Sequence, residues 1–451
     1  MVTFDGDGDY RGFYMHSAGN LRVVAENRGD TTATLRVSFI ETHYPVTRVA
    51  EVVTDDGDLN AVLETCRHTL KICRQTHHLD SPRHCEPLAC TGDYNIESLM
   101  TLFSYGDMRL AEFDVVRTAI LLEDHDGRMF HTTYSLIWVD MLWDTYMATG
   151  HVALLERCRR GLELLMNRFA SYVGANGLVE TPPDYMFVDW LYIDDISLHH
   201  PPKALGQGVL NLFYFGALEN AAKVFDELGL AEAAETCRGR RAALGEAINR
   251  ELFDSARGMY TEGLNTPTEE HLLCGWMPQN VEKRYYRKHT NILAACYGVC
   301  DDETARDLIH RIMADEIEGD VQPYFTHYLL EAVYRLGLRE AYTRPIVARW
   351  IQPTRDCPKG LVEGFIAPEP GYGFDHSHAW GGTPLYSLPK ALMGAEIRKP
   401  GMIEIALSPS LLGLGYAKAE LMTPYGPVTV EMKDGETPVI RHPDTVKIVE
   451  K

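Results

Sequence analysis

The stretch Tyr134-Ser-Leu-Ile-Trp-Val-Asp-Met-Leu-Trp-Asp-Thr-Tyr-Met-Ala148, followed by Thr149 and Gly150, shows the pattern that decides the fold. It is a long, mostly apolar run without proline, and a glycine just beyond such a run is a common helix stop. Similar runs of about 10–20 residues, separated by short Gly, Asp and Pro loops, recur from Ile96 to Trp350. The clearest others are Leu59–Gln75, Val152–Phe169, Gly208–Leu228, Glu232–Arg250, Thr304–Ala314 and Tyr324–Leu336.

These runs predict about a dozen helices with almost no strand between them, which indicates a helical barrel or a solenoid. No short sequence repeat occurs at a fixed period, and this disfavours the solenoid. The sequence therefore predicts a mainly α protein built on a helical barrel.

Strand patterns flank the helical region on both sides. Asn20–Glu26 and Thr32–Glu41 alternate apolar and polar residues, and beyond Pro400 strands are predicted at Met402–Leu407, Gly415–Met422 and Pro427–Lys433. We therefore predict an N-terminal β segment over residues 1–57, a helical domain over 58–398 and a C-terminal β-sandwich over 399–451.

Composition and charge limit the classes of partner. The 451 residues are 45% hydrophobic and 24% charged, an ordinary composition for a globular protein, and 43 basic residues against 64 acidic ones give a net charge of −21. A strongly acidic surface argues against nucleic acid or an anionic membrane as a partner. The sequence leaves open whether the chain forms a homo-oligomer.

The sequence predicts a cytoplasmic location. The residues from Met1 to Tyr10 are acidic and show no secretory signal, and no stretch reaches the roughly 18 apolar residues of a membrane helix. The ten cysteines include no CxxC pair, and we interpret them as reduced thiols.

An acidic loop is the first candidate for chemistry. The stretch Asp80-Ser-Pro-Arg-His-Cys-Glu-Pro-Leu-Ala-Cys-Thr-Gly-Asp93 places Asp80, Glu86 and Asp93 among prolines and a glycine, so we predict an irregular loop. Crowded carboxylates raise the pKa of at least one member, which is what a general acid at neutral pH requires. The alternative is a polar loop whose acids cap the next helix.

A second acidic and aromatic stretch lies far along the chain. It holds Glu363, Glu369 and Asp375, and then His378 and Trp380, again among glycines and prolines. A Glu in this stretch is a candidate partner for Glu86 across a cleft, because glycoside hydrolysis uses one protonated and one ionised carboxyl group.

Tryptophans next to acids occur twice in the helical region. Trp138 lies close to Asp140 and Trp143, and Asp189 directly precedes Trp190. Indole rings beside carboxylate acceptors suit the apolar face and the hydroxyl edge of a sugar. For any single Trp, an ordinary place in the core is the alternative.

Other chemistries have less support. His77, His78, His84, Cys85 and Cys90 match no common zinc spacing, and the run from Asp5 to Asp9 lacks most ligands of a calcium loop. No Walker loop, GxGxxG or GxSxG motif has the required context. The sequence thus predicts neither a metal nor a cofactor.

Taken together, these stretches resemble the bacterial α-L-rhamnosidases of glycoside hydrolase family 78, whose acidic loop runs approximately Asp-Cys-Pro-x-Arg-Asp-Glu-x-x-x-Trp-Thr-Gly-Asp. Six residues of this chain match that loop in type and spacing: Asp80, Pro82, Glu86, Thr91, Gly92 and Asp93. The resemblance continues, in order along the chain, through Ser135–Val139, Thr149–Gly150, Phe187–Trp190, Gly360–Glu363, Ser377–Trp380, Gly394–Gly401 and Thr423–Gly426.

The resemblance implies an (α/α)6 barrel with a C-terminal β-sandwich that hydrolyses terminal α-L-rhamnosides with inversion. It assigns Glu86 as the general acid and Glu363 as the base that activates water. Asp80 and Asp93 would hold sugar hydroxyls, and His378 would contact the sugar or position the base. Further substrate contacts are implied for Trp138, Asp189, Trp190 and Trp380.

This sequence departs from the family pattern around the acid. His84 and Cys85 replace an Arg-Asp pair, Cys90 replaces a Trp in the loop, and Val362 replaces the Trp before the base. These changes leave three alternatives to rhamnoside hydrolysis: the same fold acting on another sugar, a rhamnoside lyase, and a non-catalytic carbohydrate-binding protein.

Overall fold

A computed structural model describes residues 3, 7–12, 22–30, 32–46, 48–82, 89–180, 182–189, 191–193, 196–198, 207–264, 284–366, 373 and 375–450. Its helices are α1 Gly57–Cys73, α2 Thr91–Ser104, α3 Arg109–Asp124, α4 Thr132–Thr149, α5 Val152–Ser171, α6 Gly208–Glu227, α7 Ala231–Glu251, α8 Lys288–Tyr297, α9 Asp302–Met313, α10 Pro323–Arg335, α11 Arg339–Val347, α12 Ile351–Asp356 and α13 Pro384–Met393. Its strands are β1 Val52–Thr54, β2 Leu191–Ile193, β3 Ile196–Leu198, β4 Phe253–Asp254, β5 Met259–Tyr260, β6 Glu396–Lys399, β7 Glu404–Leu407, β8 Tyr416–Thr423, β9 Gly426–Lys433, β10 Val439–Arg441 and β11 Lys447–Glu450.

The helices form two concentric rings. Helices α2, α4, α6, α8, α10 and α13 pack in that order around a closed inner ring, because α13 returns to pack on α2. Each inner helix also packs on the outer ring, in the five consecutive hairpins α2/α3, α4/α5, α6/α7, α8/α9 and α10/α11 and in the pair α13/α1, which joins the two ends of the helical region. This is the (α/α)6 barrel that the resemblance implied.

The pattern of buried residues differs between the inner and the outer helices, as their amphipathicity predicts. In α4 and α6 almost every residue over most of the helix is buried, as expected of an inner helix that is covered on all sides. In the outer helices α5 and α9 the buried residues recur at three- and four-residue intervals and leave the other face to solvent. The helix predicted from Tyr134 to Ala148 is α4, and it ends at Gly150, whose φ of 72° suits glycine.

Two sheets lie at the C-terminal end of the chain. One is antiparallel with the order β1-β8-β9-β10, and the other has the order β11-β7-β6, in which β11 runs parallel to β7. Strand β8 packs on α2 and α13, which attaches this sheet to the barrel. The three C-terminal strands predicted from the sequence are β7, β8 and β9.

The prediction of strands near the N-terminus is wrong in part. Residues 22–26 and 32–41 are not in strands, and Phe39 and Ile40 are exposed, at 70% and 65%. An alternating pattern forms a strand only where a second strand supplies its backbone hydrogen bonds, and in the described part of this segment that occurs at β1, which pairs with β8. The division of the chain into three domains stays a prediction.

Within the described part of the chain, no helix combines the length and the apolar character that crossing a membrane requires.

Candidate active site

A buried cluster of carboxyl groups surrounds His378 at the end of the barrel where the inner helices begin. Nε2 of His378 lies 4.0 Å from Oδ2 of Asp80 and 3.9 Å from Oε1 of Glu363, and Nδ1 lies 3.6 Å from Oδ1 of Asp93. The four side chains are 3–7% exposed. Three carboxylates this close repel one another, so a shared imidazole that can carry a positive charge reduces the cost of holding them together.

Backbone hydrogen bonds between distant segments build this cluster. The amide of Ala379 donates to the carbonyl of Asp80 (2.8 Å), which ties the segment of His378 to the segment after α1. The amide of His378 donates to the carbonyl of Leu361 (3.1 Å), which places His378 beside the segment that carries Glu363. The positions of the imidazole and of two carboxyl groups are therefore fixed by main-chain contacts.

Glu363 is held on both sides by Asp375. The amide of Glu363 donates to the carbonyl of Asp375 (3.0 Å), and the amide of Asp375 donates to Oε2 of Glu363 (3.1 Å). The carboxyl group of Asp375 in turn accepts a hydrogen bond from Oγ of Ser81 (2.7 Å). One carboxyl oxygen of Glu363 thus faces the backbone while the other faces His378, so its orientation is set before any ligand binds.

Asp93 lies in the first turn of α2, which begins at Thr91. Of the predicted irregular loop, residues 91–93 are therefore helical. The partial positive charge at a helix N-terminus favours a carboxylate in this position. This explains how Asp93 can be buried next to two other acids.

Buried histidine and aspartate side chains fix the segment that leads to Asp80. Oδ2 of Asp114 on α3 accepts from the backbone amide of His78 (3.2 Å) and lies 2.8 Å from its Nδ1. Arg117 lies 3.4 Å from the other oxygen of Asp114. Burial lowers the pKa of His78 from its usual value, so the neutral imidazole with Nδ1–H donating to Asp114 fits this arrangement.

An aromatic wall adjoins the carboxyl cluster. The ring of Trp380 lies 4.4 Å from that of His378, stacks on Tyr324 (4.9 Å between centroids) and stacks on Phe187 (5.9 Å). Its indole N–H donates to the carbonyl of Glu363 (2.9 Å), and Tyr134 lies against both Phe187 and Tyr324. Aromatic faces beside carboxylates suit the apolar face and the hydroxyl edge of a sugar ring.

The sequence predicted Trp380 as a site residue but not Tyr134 and Tyr324. Tyr134 lies near the start of α4 and Tyr324 near the start of α10, so both belong to the end of the barrel that holds the carboxyl groups. Their positions in the first turns of inner helices are the signal that would have identified them.

Asp189 is a buried acid that connects the segment of this aromatic wall to neighbouring segments. It is fully buried, lies 2.9 Å from Nε2 of His289 and accepts from the amide of Gln322 (3.3 Å). Oε1 of Gln322 accepts from the amides of Phe365 (2.7 Å) and Ile366 (3.2 Å), close to Glu363 in the chain. Asp189 is therefore coupled to the segment of Glu363 through one glutamine.

Trp138 requires a correction. It is fully buried, and its indole N–H donates to the carbonyl of Val115 on α3, an outer helix (3.0 Å). The N–H edge of its indole thus points between the inner and outer rings of helices. Trp138 therefore has the ordinary place in the core that was the alternative for any single Trp. The general acid candidate Glu86, the predicted wall residue Trp190 and the acid Glu369 lie outside the described residues.

Sequence reasoning identified neither Glu97 nor Arg74, and the structure buries both of these side chains fully. Glu97 lies on α2, four residues after Asp93. Burial raises the pKa of Glu97 well above its usual value, and the carboxyl groups of Asp93, Asp114 and Asp80 raise it further. A single glutamate in an otherwise ordinary helix gives no sequence signal of this environment.

Comparisons with known proteins agree with this fold. The family model described as the bacterial alpha-L-rhamnosidase 6 hairpin glycosidase domain matches residues 47–296, more than half of the chain. The six hairpins of that description are the six pairs of inner and outer helices. A search of curated proteins finds no match.

Solved structures share the fold at low sequence identity. The family 78 rhamnosidase of Bacillus sp. GL1 is 19% identical over 91% of this chain and 43% of its own, with a TM-score of 0.79. The α-L-rhamnosidase of Aspergillus terreus is 16% identical over 90% of this chain and 48% of its own, with a TM-score of 0.74. The α-L-rhamnosidase of Streptomyces avermitilis, solved with L-rhamnose, is 16% identical over 90% and 39%, with a TM-score of 0.68.

The chain thus spans less than half the length of these three structures. The match to the family model and the six-hairpin barrel together identify the family: this chain belongs to the bacterial α-L-rhamnosidase six-hairpin glycosidases.

Proposed function

We propose that this protein is an inverting exo-glycosidase that releases terminal α-L-rhamnose from glycosides or oligosaccharides. The observation that carries the proposal is the buried cluster of Glu363, Asp80, Asp93 and His378 beside the ring of Trp380. Family membership supports the reaction class. The proposed substrate is the one that gives the solved relatives their name as rhamnosidases.

In the proposed mechanism Glu363 is the general base. One of its carboxyl oxygens is occupied by the amide of Asp375, so the other, which faces His378, is the one that can take a proton from water. Glu86 is the general acid that protonates the leaving oxygen, and inversion requires its carboxyl group to lie roughly 6.5–9.5 Å from that of Glu363.

Asp80 and Asp93 accept hydrogen bonds from sugar hydroxyls in this proposal. Both carboxyl groups lie at the imidazole of His378, and a carboxylate can accept several hydrogen bonds at once. Trp380 presents an aromatic face to the apolar side of the ring. Carbohydrate is thus the proposed ligand.

The test uses an aryl α-L-rhamnoside and the variants Glu363→Gln and Glu86→Gln. We expect each variant to lose about 10²–10⁴-fold in kcat, the contribution of a positioned acid or base. The matched control is Glu246→Gln, the same substitution at an exposed position on α7, and it should retain parental activity. Nuclear magnetic resonance of the first sugar product should show the inverted anomer.

Other outcomes separate the alternatives. A product with a double bond that absorbs in the near ultraviolet indicates a lyase, and saturable sugar binding in calorimetry without product indicates a binding protein. Turnover of a different glycoside with none of the rhamnoside assigns another sugar. Full activity of both variants on several rhamnosides would reject the two carboxyl groups as the acid and the base.

A cytoplasmic location is also proposed, because the ten cysteines include no CxxC pair and are interpreted as reduced thiols. Fractionation of the producing cells tests it.

A further inference from the structure

Glu97 is a buried acid without a hydrogen-bonding partner among the described residues. Its side chain is fully buried, and neither Oε1 nor Oε2 has a donor. It lies one helical turn after Asp93, so both side chains project from the same face of α2. An ionised carboxylate without a donor is very costly to bury, so the folded protein favours the neutral acid.

The charged groups that act on Glu97 come from α2, from α3 and from the end of α1 with the segment after it. Asp93 lies on α2 itself, Asp80 on the segment after α1, and Asp114 on α3. Arg74, at the end of α1, acts in the opposite direction. Three acids and one guanidinium leave an excess of negative charge, which disfavours a further charge on Glu97.

Arg74 does not act as a direct partner of Glu97. Its Nη2 donates to the carbonyl of Asp107 (3.3 Å), and its guanidinium lies over the rings of Tyr44 and Tyr105. Among the described residues, its Nε and Nη1 have no acceptor. The guanidinium is thus near enough to act on Glu97 electrostatically, but it does not hold the carboxyl group by a hydrogen bond.

Two of the acids that face Glu97 are the ones that face His378. Asp93 lies 3.6 Å from Nδ1 of the imidazole, and Asp80 and Glu363 lie 4.0 Å and 3.9 Å from its Nε2. Like charges that face one another in a buried site repel strongly, because the protein interior screens them less than water does. A negative charge on Glu97 would therefore push against Asp80 and Asp93 and disturb their contacts with His378.

We propose that Glu97 is a positioning residue that must remain neutral for the carboxyl cluster to keep its active arrangement, and that loss of its proton limits activity at alkaline pH. Glu97 acts through Asp80 and Asp93 and does not touch the substrate. The inference rests on the proposed glycosidase function.

The experiment compares the parent with Glu97→Gln, which keeps the size and the neutral state of the side chain. We measure kcat and KM for an aryl α-L-rhamnoside from acidic to alkaline pH. At neutral pH kcat of the variant should stay within about 2-fold of the parent, and the alkaline fall in activity should begin about one pH unit higher. The control is again Glu246→Gln, whose profile should follow the parent.

Two kinetic results overturn the inference. An unchanged alkaline limb would show that another group, such as the general acid, sets that limit alone. A loss of about 10-fold or more in kcat at neutral pH, with a lower Tm, would show that Glu97 is ionised and paired, because breaking a buried ion pair is strongly destabilising. If the parent itself hydrolyses no rhamnoside, the proposed function fails instead.

A measurement without activity separates these cases. The infrared spectrum of the parent at neutral pH should contain the carbonyl band of a protonated carboxylic acid that Glu97→Gln lacks. The folded protein holds the proton of Glu97 more tightly than the unfolded chain, so this group costs stability as the pH rises. Tm of the variant minus Tm of the parent should therefore increase with pH, and a constant difference without the band would reject the neutral acid.

Discussion

The substitution Asn211→Ala tests whether side chains of the inner helices fix the segments that connect one helix pair to the next. Asn211 is fully buried near the start of α6. Its Oδ1 accepts from the amide of Val179 (2.7 Å), and its Nδ2 donates to the carbonyls of Val179 (3.1 Å) and Gln207 (2.9 Å). Asn291 repeats this arrangement on α8, where it binds the amide and the carbonyl of Tyr260.

The expected loss follows from the groups that remain unpaired. Alanine would leave the amide and the carbonyl of Val179 buried without these partners, at about 1–3 kcal/mol each or about 2–6 kcal/mol together. The carbonyl of Gln207 keeps the backbone amide of residue 211 as a donor (3.1 Å), so it adds nothing. The better helix propensity of alanine returns at most about 0.7 kcal/mol. We expect the free energy of unfolding to fall by about 3 kcal/mol.

The assay is urea unfolding followed by tryptophan fluorescence, with the midpoint compared at an unchanged slope. The control is Asn167→Ala, the same change at an exposed helical position where Oδ1 accepts from Arg240 at 3.3 Å. It should change stability by no more than about 0.5 kcal/mol. If Asn211→Ala changes stability as little as this control, then the two bonds to Val179 do not hold the segment.

Two further predictions concern packing and protons. In Gly92→Ala the new Cβ would lie 2.4 Å from the ring of Tyr134, so we expect a lower Tm and weaker activity. The control Gly239→Ala, inside α7 and with no atom within 4 Å, should keep activity and raise Tm slightly, because alanine favours a helix more than glycine does. A Gly92→Ala variant that behaves like this control would contradict the close approach. Burial, with the charge of Asp140 as a second cause, raises the pKa of Asp144 to about 7. The stability that this group contributes is present below its unfolded pKa and is lost as the pH rises towards 7, so Tm of Asp144→Asn minus Tm of the parent should increase over that range, and a flat difference would count against the raised pKa.

The helices could be located from the sequence because their signals are local. The runs at Tyr134–Ala148, Val152–Phe169 and Gly208–Leu228 correspond to α4, α5 and α6 within two residues at each end. A helix is defined by hydrogen bonds between residues four apart, so a short stretch of sequence carries most of the information.

The sequence did not show which face of each inner helix points toward the barrel axis. Helix α4 is buried almost all round, so its periodicity does not distinguish the side toward the barrel axis from the side toward the outer ring. Trp138 and Tyr134 lie one turn apart on that helix, yet Trp138 bonds to α3 and Tyr134 lies against Phe187 and Tyr324. Only the packing of the neighbouring helices decides between these directions.

The sequence by itself therefore determined the helical barrel, its C-terminal strands and, through the resemblance, which stretches to examine. The tertiary structure decided what meets at the site: Ser81 and Asp375 form a hydrogen bond although they are 294 residues apart, and His378 joins acids from three segments. It also decided that Glu97 is buried among acids. Proximity and burial depend on how all six hairpins close around one axis, and no short stretch of sequence records that closure.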